Sequence, residues 1–180
     1  MRYIKIPLLL LLFSVVFSQF DYNINYEMRL AADSDTTRDV FENYFDINMY
    51  YDDFYFYSLV KYTNPPLIGT STENIKDVLN VFYFEYSNDY IDLTIGDIFQ
   101  MYGKGLSYHS YYDRNIDYNN SVRGIDLTYH VNDNFDIFAL TGYNNFQTRL
   151  SPKSIEPDIH LDHTLGMGGF NYFHDIFDIH

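Results

Sequence analysis

Phe20-Asp21-Tyr22-Asn23-Ile24-Asn25-Tyr26-Glu27-Met28-Arg29-Leu30-Ala31-Ala32 decides the fold, because apolar and polar residues alternate through all thirteen positions. Side chains with a period of two lie on opposite faces of a strand. A strand in a water-soluble domain averages about 5 to 6 residues, whereas one that crosses a bilayer on a tilt needs about 9 to 11. The stretch is therefore expected to be a membrane-crossing strand.

Similar segments follow. Expected strands run over 45–51, 54–62, 80–86, 90–95, 122–131, 135–143 and 165–173, the last rich in glycine (Gly166, Gly168, Gly169). The connections between them alternate. Asp52-Asp53, Ser87-Asn88-Asp89 and Asn132-Asp133-Asn134 are short polar turns, while 32–44, 63–79, 96–121 and 144–164 are long. Short turns on one side and long loops on the other are the pattern of an up-and-down transmembrane β-barrel. Ile176-Phe177-Asp178-Ile179-His180 resembles the opening of the strand at 135 and reads as the start of a ninth strand. Single-chain bacterial barrels hold an even number of strands and close on themselves. The fold expected is thus an all-β, antiparallel, up-and-down transmembrane barrel, with residues 19–180 as its N-terminal part; a complete eight-stranded barrel is the alternative.

Composition agrees with strands and turns. Of 180 residues, 20 are Tyr and 16 Phe, whereas alanine occurs only at Ala31, Ala32 and Ala139, which leaves little for helices. Aromatic girdles at the two lipid interfaces would account for so many rings. There is no cysteine, which excludes disulfides, thiolate metal sites and a lipidated N-terminal Cys. Residues 1–18 read as a secretory signal peptide: basic Arg2 and Lys5, an apolar run from Leu8 to Phe17, and Val16 and Ser18 before a cut at Gln19. Export through the Sec pathway to a bacterial outer membrane is expected. The partners are then outer-membrane lipid, lipopolysaccharide and the barrel-assembly machinery. Without the signal, nine basic residues face 25 acidic ones, a formal charge of −16. A chain so acidic repels phosphate, which excludes nucleic acid as a partner.

One run departs from plain strand: Gly96-Asp97-Ile98-Phe99-Gln100-Met101-Tyr102-Gly103-Lys104-Gly105-Leu106, followed by Tyr112-Asp113-Arg114 and Asn120-Ser121-Val122-Arg123-Gly124. Over roughly residues 90 to 131 the chain resembles an uncharacterised group of Bacteroidetes-type outer-membrane β-barrel proteins. These carry a similar G-D-x-[FY]-x-x-x-G-x-G-L run, a following arginine, and N-S-x-R-G before the next strand. The resemblance implies fold and location, a longer whole protein, and no assigned reaction.

Gly96, Asp97, Gly103, Lys104, Gly105, Arg114, Arg123 and Gly124 are the candidate site residues. No helix is expected after the Gly-x-Gly pair, so a phosphate-cradling loop is unsupported. One expectation is that this loop folds into the lumen and sets a positively charged constriction against an acidic wall, as charged rings do in pores. The other is that Lys104, Arg114 and Arg123 pair with Asp97, Asp113 and Asp117 and shape the loop. Catalytic and cofactor residues are not expected. Adjacent His109 and Ser110 would point to opposite faces of a strand, which disfavours an outer-membrane hydrolase. His160 and His163, with Asp158 and Asp162 nearby, lack a third converging ligand, and Asp33-Ser34-Asp35 and Asp52-Asp53 form no complete calcium loop. The expected role is non-enzymatic, porin-like permeation or surface structure; the alternative class is a secreted soluble β-sandwich binding glycan or calcium.

Overall fold

A computed structural model describes residues 20–32, 39–63, 79–115, 118–148, 159–173 and 178–179. The expected signal segment, Asp33-Ser34-Asp35, Asp117, Asp158 and the side chain of His160 lie outside the described residues.

The protein is all-β. Nine strands form one antiparallel sheet in chain order: β1 (Asp21–Ala32), β2 (Asp39–Tyr51), β3 (Phe54–Thr63), β4 (Leu79–Ser87), β5 (Ile91–Ile98), β6 (Val122–Asn132), β7 (Phe135–Thr148), β8 (Ile159–Phe173) and β9 (Asp178–Ile179). All eight expected strands are present, and the ninth is a two-residue pairing with Tyr172 and Phe173. β2 begins at Asp39 and β8 at Ile159, both earlier than the sequence suggests. Among the described residues the sheet is open, with β1 and β9 at its edges. Asp52 adopts a positive φ of 51°, which lets β2 return as β3 in two residues; aspartate tolerates that conformation better than most side chains.

Register carries the alternation of each strand across the whole sheet. Glu27 lies opposite Tyr44, and Tyr44 opposite Lys61; further along, Glu85 is opposite Thr94, Thr94 opposite Asp126, and Asp126 opposite Leu140. The neighbouring positions of the same strands point the other way. The sheet therefore has two distinct faces.

The first, here the bare face, carries Tyr22, Ile24, Tyr26, Met28 and Leu30 of β1, and continues through Phe45, Phe54, Tyr62, Ile95, Ile125, Leu127, Tyr129, Val131, Ile137, Tyr143 and Phe170, all exposed. Eight strands about 4.8 Å apart and about ten residues long at 3.3 Å each present about 1,300 Å². The largest apolar patch on an ordinary soluble monomer is about 300–600 Å². Towards the turns this face ends in packed rings: Phe54 lies 4.8 Å from Tyr86 and 5.6 Å from Phe84, and Phe135 5.7 Å from Phe170.

The second, the loop face, holds the packed interior. Residues 99–115 and 118–121 fold across it and create two clusters, one of Ile98, Tyr102, Val122, Phe138 and Leu140, the other of Tyr44, Leu59 and Val81 with Phe99 and Tyr112 against them. Buried polar residues share this face, including Glu42, Asp46, Lys61 and Asp126. Large apolar residues are thus exposed on the bare face, while buried charged residues lie among the apolar clusters of the loop face.

Gly96, Gly124 and Gly142 sit side by side on β5, β6 and β7. A Cβ on Gly124 would collide with Thr141 O and Gly142 Cα, and one on Gly142 would come within 2.6 Å of Arg123 O. Gly96, at φ 116°, admits no Cβ beside Phe82 O. This row lets three strand backbones approach closely where the sheet wraps the loop. Gly166, by contrast, has nothing within 4 Å of an added Cβ. Gly124→Val should cost about 1–3 kcal/mol by overpacking and lower the fraction of refolded protein at intermediate urea, while Gly166→Ala should leave the unfolding curve unchanged.

Candidate functional site

The two pieces of the glycine-rich signature meet in space. Asp97 lies directly opposite Arg123 and Gly96 opposite Gly124. Arg123 grips Asp97 with two bonds, Nε to Oδ1 at 2.9 Å and an Nη to Oδ2 at 2.8 Å, and its guanidinium lies 4.6 Å from the centre of the Phe82 ring. Asp97 Oδ2 also accepts the Phe82 N–H at 2.8 Å. The β4–β5 ladder stops at Gly96, so the carboxylate satisfies a backbone donor that the strand no longer reaches. A bidentate pair of this kind, with Asp97 buried, fixes the mouth of the loop. For Arg123, the structural expectation of pairing with Asp97 holds.

From that mouth the chain forms a small hairpin, with Met101 opposite His109 and Tyr102 opposite Tyr108. Its tip turns through three successive residues of positive φ, Gly103 (59°), Lys104 (55°) and Gly105 (84°). The flanking glycines make that turn inexpensive; Lys104 occupies the left-handed region itself, at a cost of about 1–2 kcal/mol. The hairpin lies along the wall of β5 to β7. Tyr102 Oη donates to both oxygens of Asp126, at 2.7 and 2.8 Å, and its ring stacks on Phe138 at 4.3 Å. Burial, then the bond to Asp126, raises the Tyr102 phenol above its ordinary pKa. Between the tip and the wall lies a cleft of about 370 Å³, lined by Gln100 to Lys104 on one side and by Asp92, Thr94, Asp126, Thr128, His130, Asp136 and Asn171 on the other.

Arg114 anchors the second half of the loop to the far side of the same face. One Nη reaches Asp46 of β2 at 2.6 Å and the other Glu27 of β1 at 3.2 Å, and the guanidinium sits 5.0 Å from the centre of the Tyr44 ring. Burial disfavours its charge, but the hydrogen bond and charge of Asp46 outweigh this and hold its pKa above the usual arginine value. The partners are wall carboxylates 87 and 68 residues away in sequence. Pairing within the loop, expected from Asp113, is not what forms: Asp113 accepts the Asn115 N–H at 2.9 Å and shapes its own turn. Lys104 is not paired with Asp97, which Arg123 occupies; it is exposed on the rim of the cleft.

The eight candidate residues therefore divide into three groups. Gly96, Asp97, Arg123 and Gly124 make a structural junction, Gly103, Lys104 and Gly105 make the hairpin tip, and Arg114 is the tether. Glu27, Asp46, Asp126 and His130 are legible in the sequence as polar positions of one strand face, but not as partners: with Tyr102, the three carboxylates hold the loop down. The His130 ring nitrogens lie 2.8 Å from Asp136 and 2.9 Å from Asp92. Ser110, far from acting as a nucleophile, donates to Ile98 O at 2.9 Å and accepts the Gln100 N–H at 3.1 Å. Among the described residues, no group of three or more His, Cys, Asp or Glu is placed to hold a metal ion.

If Arg114 ties the loop to β1 and β2, Arg114→Gln should remove about 1.5–3 kcal/mol of charge-assisted bonding from this segment. Amide hydrogen exchange around Tyr111 to Asn115 should then accelerate about tenfold or more, with the protection of β5 to β7 unchanged.

No curated protein and no solved structure matches the chain. The model of one protein family, described as a family of unknown function (DUF6029), matches residues 11–168, and on that extent the chain belongs to this family.

Proposed function

We propose that the protein is the wall of a bacterial outer-membrane β-barrel, non-enzymatic, with porin-like permeation as its role and residues 99–115 as an inward-folded constriction. The observation that carries this reading is the pair of faces. A continuous apolar surface of barrel-wall dimensions stands opposite a charged surface that wraps a loop. In lipid the bare face is at home and in water it is not.

Among the described residues, charged groups on the bare face lie near the loop ends of their strands, where they cost least in lipid: Asp39 at the start of β2, Asp97 and Arg123, which bind each other, at the end of β5 and the start of β6, and Asp162 near the start of β8. Further in, Asn43 accepts the Tyr26 hydroxyl at 2.6 Å. A soluble β-sandwich would need a second layer over the bare face; the two short hairpin sheets of 101–119 lie over the opposite one. Export by the Sec pathway, contact with lipopolysaccharide and insertion by the barrel-assembly machinery follow from this proposal.

The test is made on the protein as the cell produces it. The chain should stay with the membrane pellet through a sodium carbonate wash, migrate faster in unheated than in boiled samples on denaturing gels, and conduct ions when reconstituted in a planar bilayer. Tyr102→Phe, which removes the bonds to Asp126 but keeps the ring on Phe138, should make that conductance larger or noisier. Release by carbonate would refute the membrane assignment, and a correctly inserted barrel with no conductance would refute permeation.

A further inference from the structure

We propose that the cleft beneath the hairpin tip is the selectivity site of this pore and passes small cations, inorganic or amine-bearing, in preference to anions. The inference rests on the permeation reading above and goes beyond it by naming the solute class.

The expectation from sequence was a positively charged constriction, because three cations cluster in the loop. Geometry reverses the sign. Arg114 and Arg123 are consumed by wall and rim carboxylates, which leaves Lys104 as the loop's cation at the cleft. The opposite wall presents Asp92, Asp126 and Asp136 directly to the cleft, and Glu85 stands in the same cross-strand row as Thr94 and Asp126. Asp92, Asp126 and Asp136 come from the loop-face positions of three consecutive strands, so register aims them at one space, and Glu85 lies one strand further along the same face, outside the cleft lining. Against them stand Lys104 and His130, at most two positive charges.

The bonds made by these carboxylates do not cancel that sign. Tyr102 gives Asp126 a neutral donor, which keeps the carboxylate in place without removing its charge. His130 bridges Asp92 and Asp136 with one ring; even when protonated it offsets one of the two. The same bonds spread the carboxylates along the wall instead of converging them on a point, and a pore needs this, since a site that chelates its ion does not release it. A field of this kind acts over about 10 Å at 0.1 M salt and about 3 Å at 1 M, so selectivity should be strong in dilute salt and fade in concentrated salt.

The measurement is the reversal potential of the purified full chain in a planar bilayer under a KCl gradient whose dilute side is 0.1 M or below. The sign should be that of the potassium equilibrium potential, and replacing potassium by a small diamine should preserve it. Asp92→Asn should shift the reversal potential toward zero, and Lys104→Glu should shift it further toward the potassium value; each variant is first checked for heat-modifiable migration. If Asp92→Asn does not fold, the exposed Lys104→Glu still decides the matter. A conducting pore that reverses at zero or with the chloride sign, or one unmoved by Lys104→Glu, overturns this inference while permeation stands. An inserted barrel without conductance overturns both.

Discussion

Antiparallel register is the constraint on which everything else depends. Each strand alternates, and pairing from β1 to β8, shifted at Leu59/Val60 and at His130/Asn132 near strand ends, adds those alternations into one apolar and one charged face. Displace any strand by one residue and its apolar set turns inward, where the loop and the carboxylates are. The tight turn at Asp52 and the short connections before β5 and β7 hold that register at one end. The glycine row of β5, β6 and β7 and the Arg123–Asp97 grip hold it at the other.

The loop then has a defined task. A charged inner face cannot be left uncovered at no cost, because carboxylates and amines brought close together need donors, acceptors and counter-charges. Residues 99–115 supply them from both sides, Tyr102 to Asp126 on one wall and Arg114 to Glu27 and Asp46 on the other. They also supply the apolar filling between Ile98, Phe138 and Leu140. The protein's packed interior is in this sense built by a loop on a sheet, and the cleft left beside the hairpin is the part that the loop does not fill.

Much of this was legible in the sequence. Period two across 20–32 and the rhythm of short and long connections gave eight strands and their order. The early start of β2 was hidden because Tyr44 and Phe45 put aromatic rings on both faces, blurring the alternation, and the start of β8 because residues 159–164 mix apolar, charged and hydroxyl side chains. Site residues were legible one at a time, but their partners were not. Nothing local in the sequence says that Arg114 will reach Glu27, or that Tyr102 will find Asp126, since those meetings depend on the curvature that brings distant strands around the loop. The expectation of a positive constriction has the same origin: a count of cations in the loop leaves out the carboxylates that Arg114 and Arg123 pair with.

The most direct test of the two-faced wall exploits the absence of native cysteine. Single cysteines from Asp21 to Leu30, each carrying a nitroxide, are compared in reconstituted membranes for collision with oxygen, which concentrates in lipid, and with a water-soluble nickel chelate. The expected result is a period of two, with labels at positions 22, 24, 26, 28 and 30 favouring oxygen and those between them favouring nickel. Uniform access to nickel along the whole strand would contradict it.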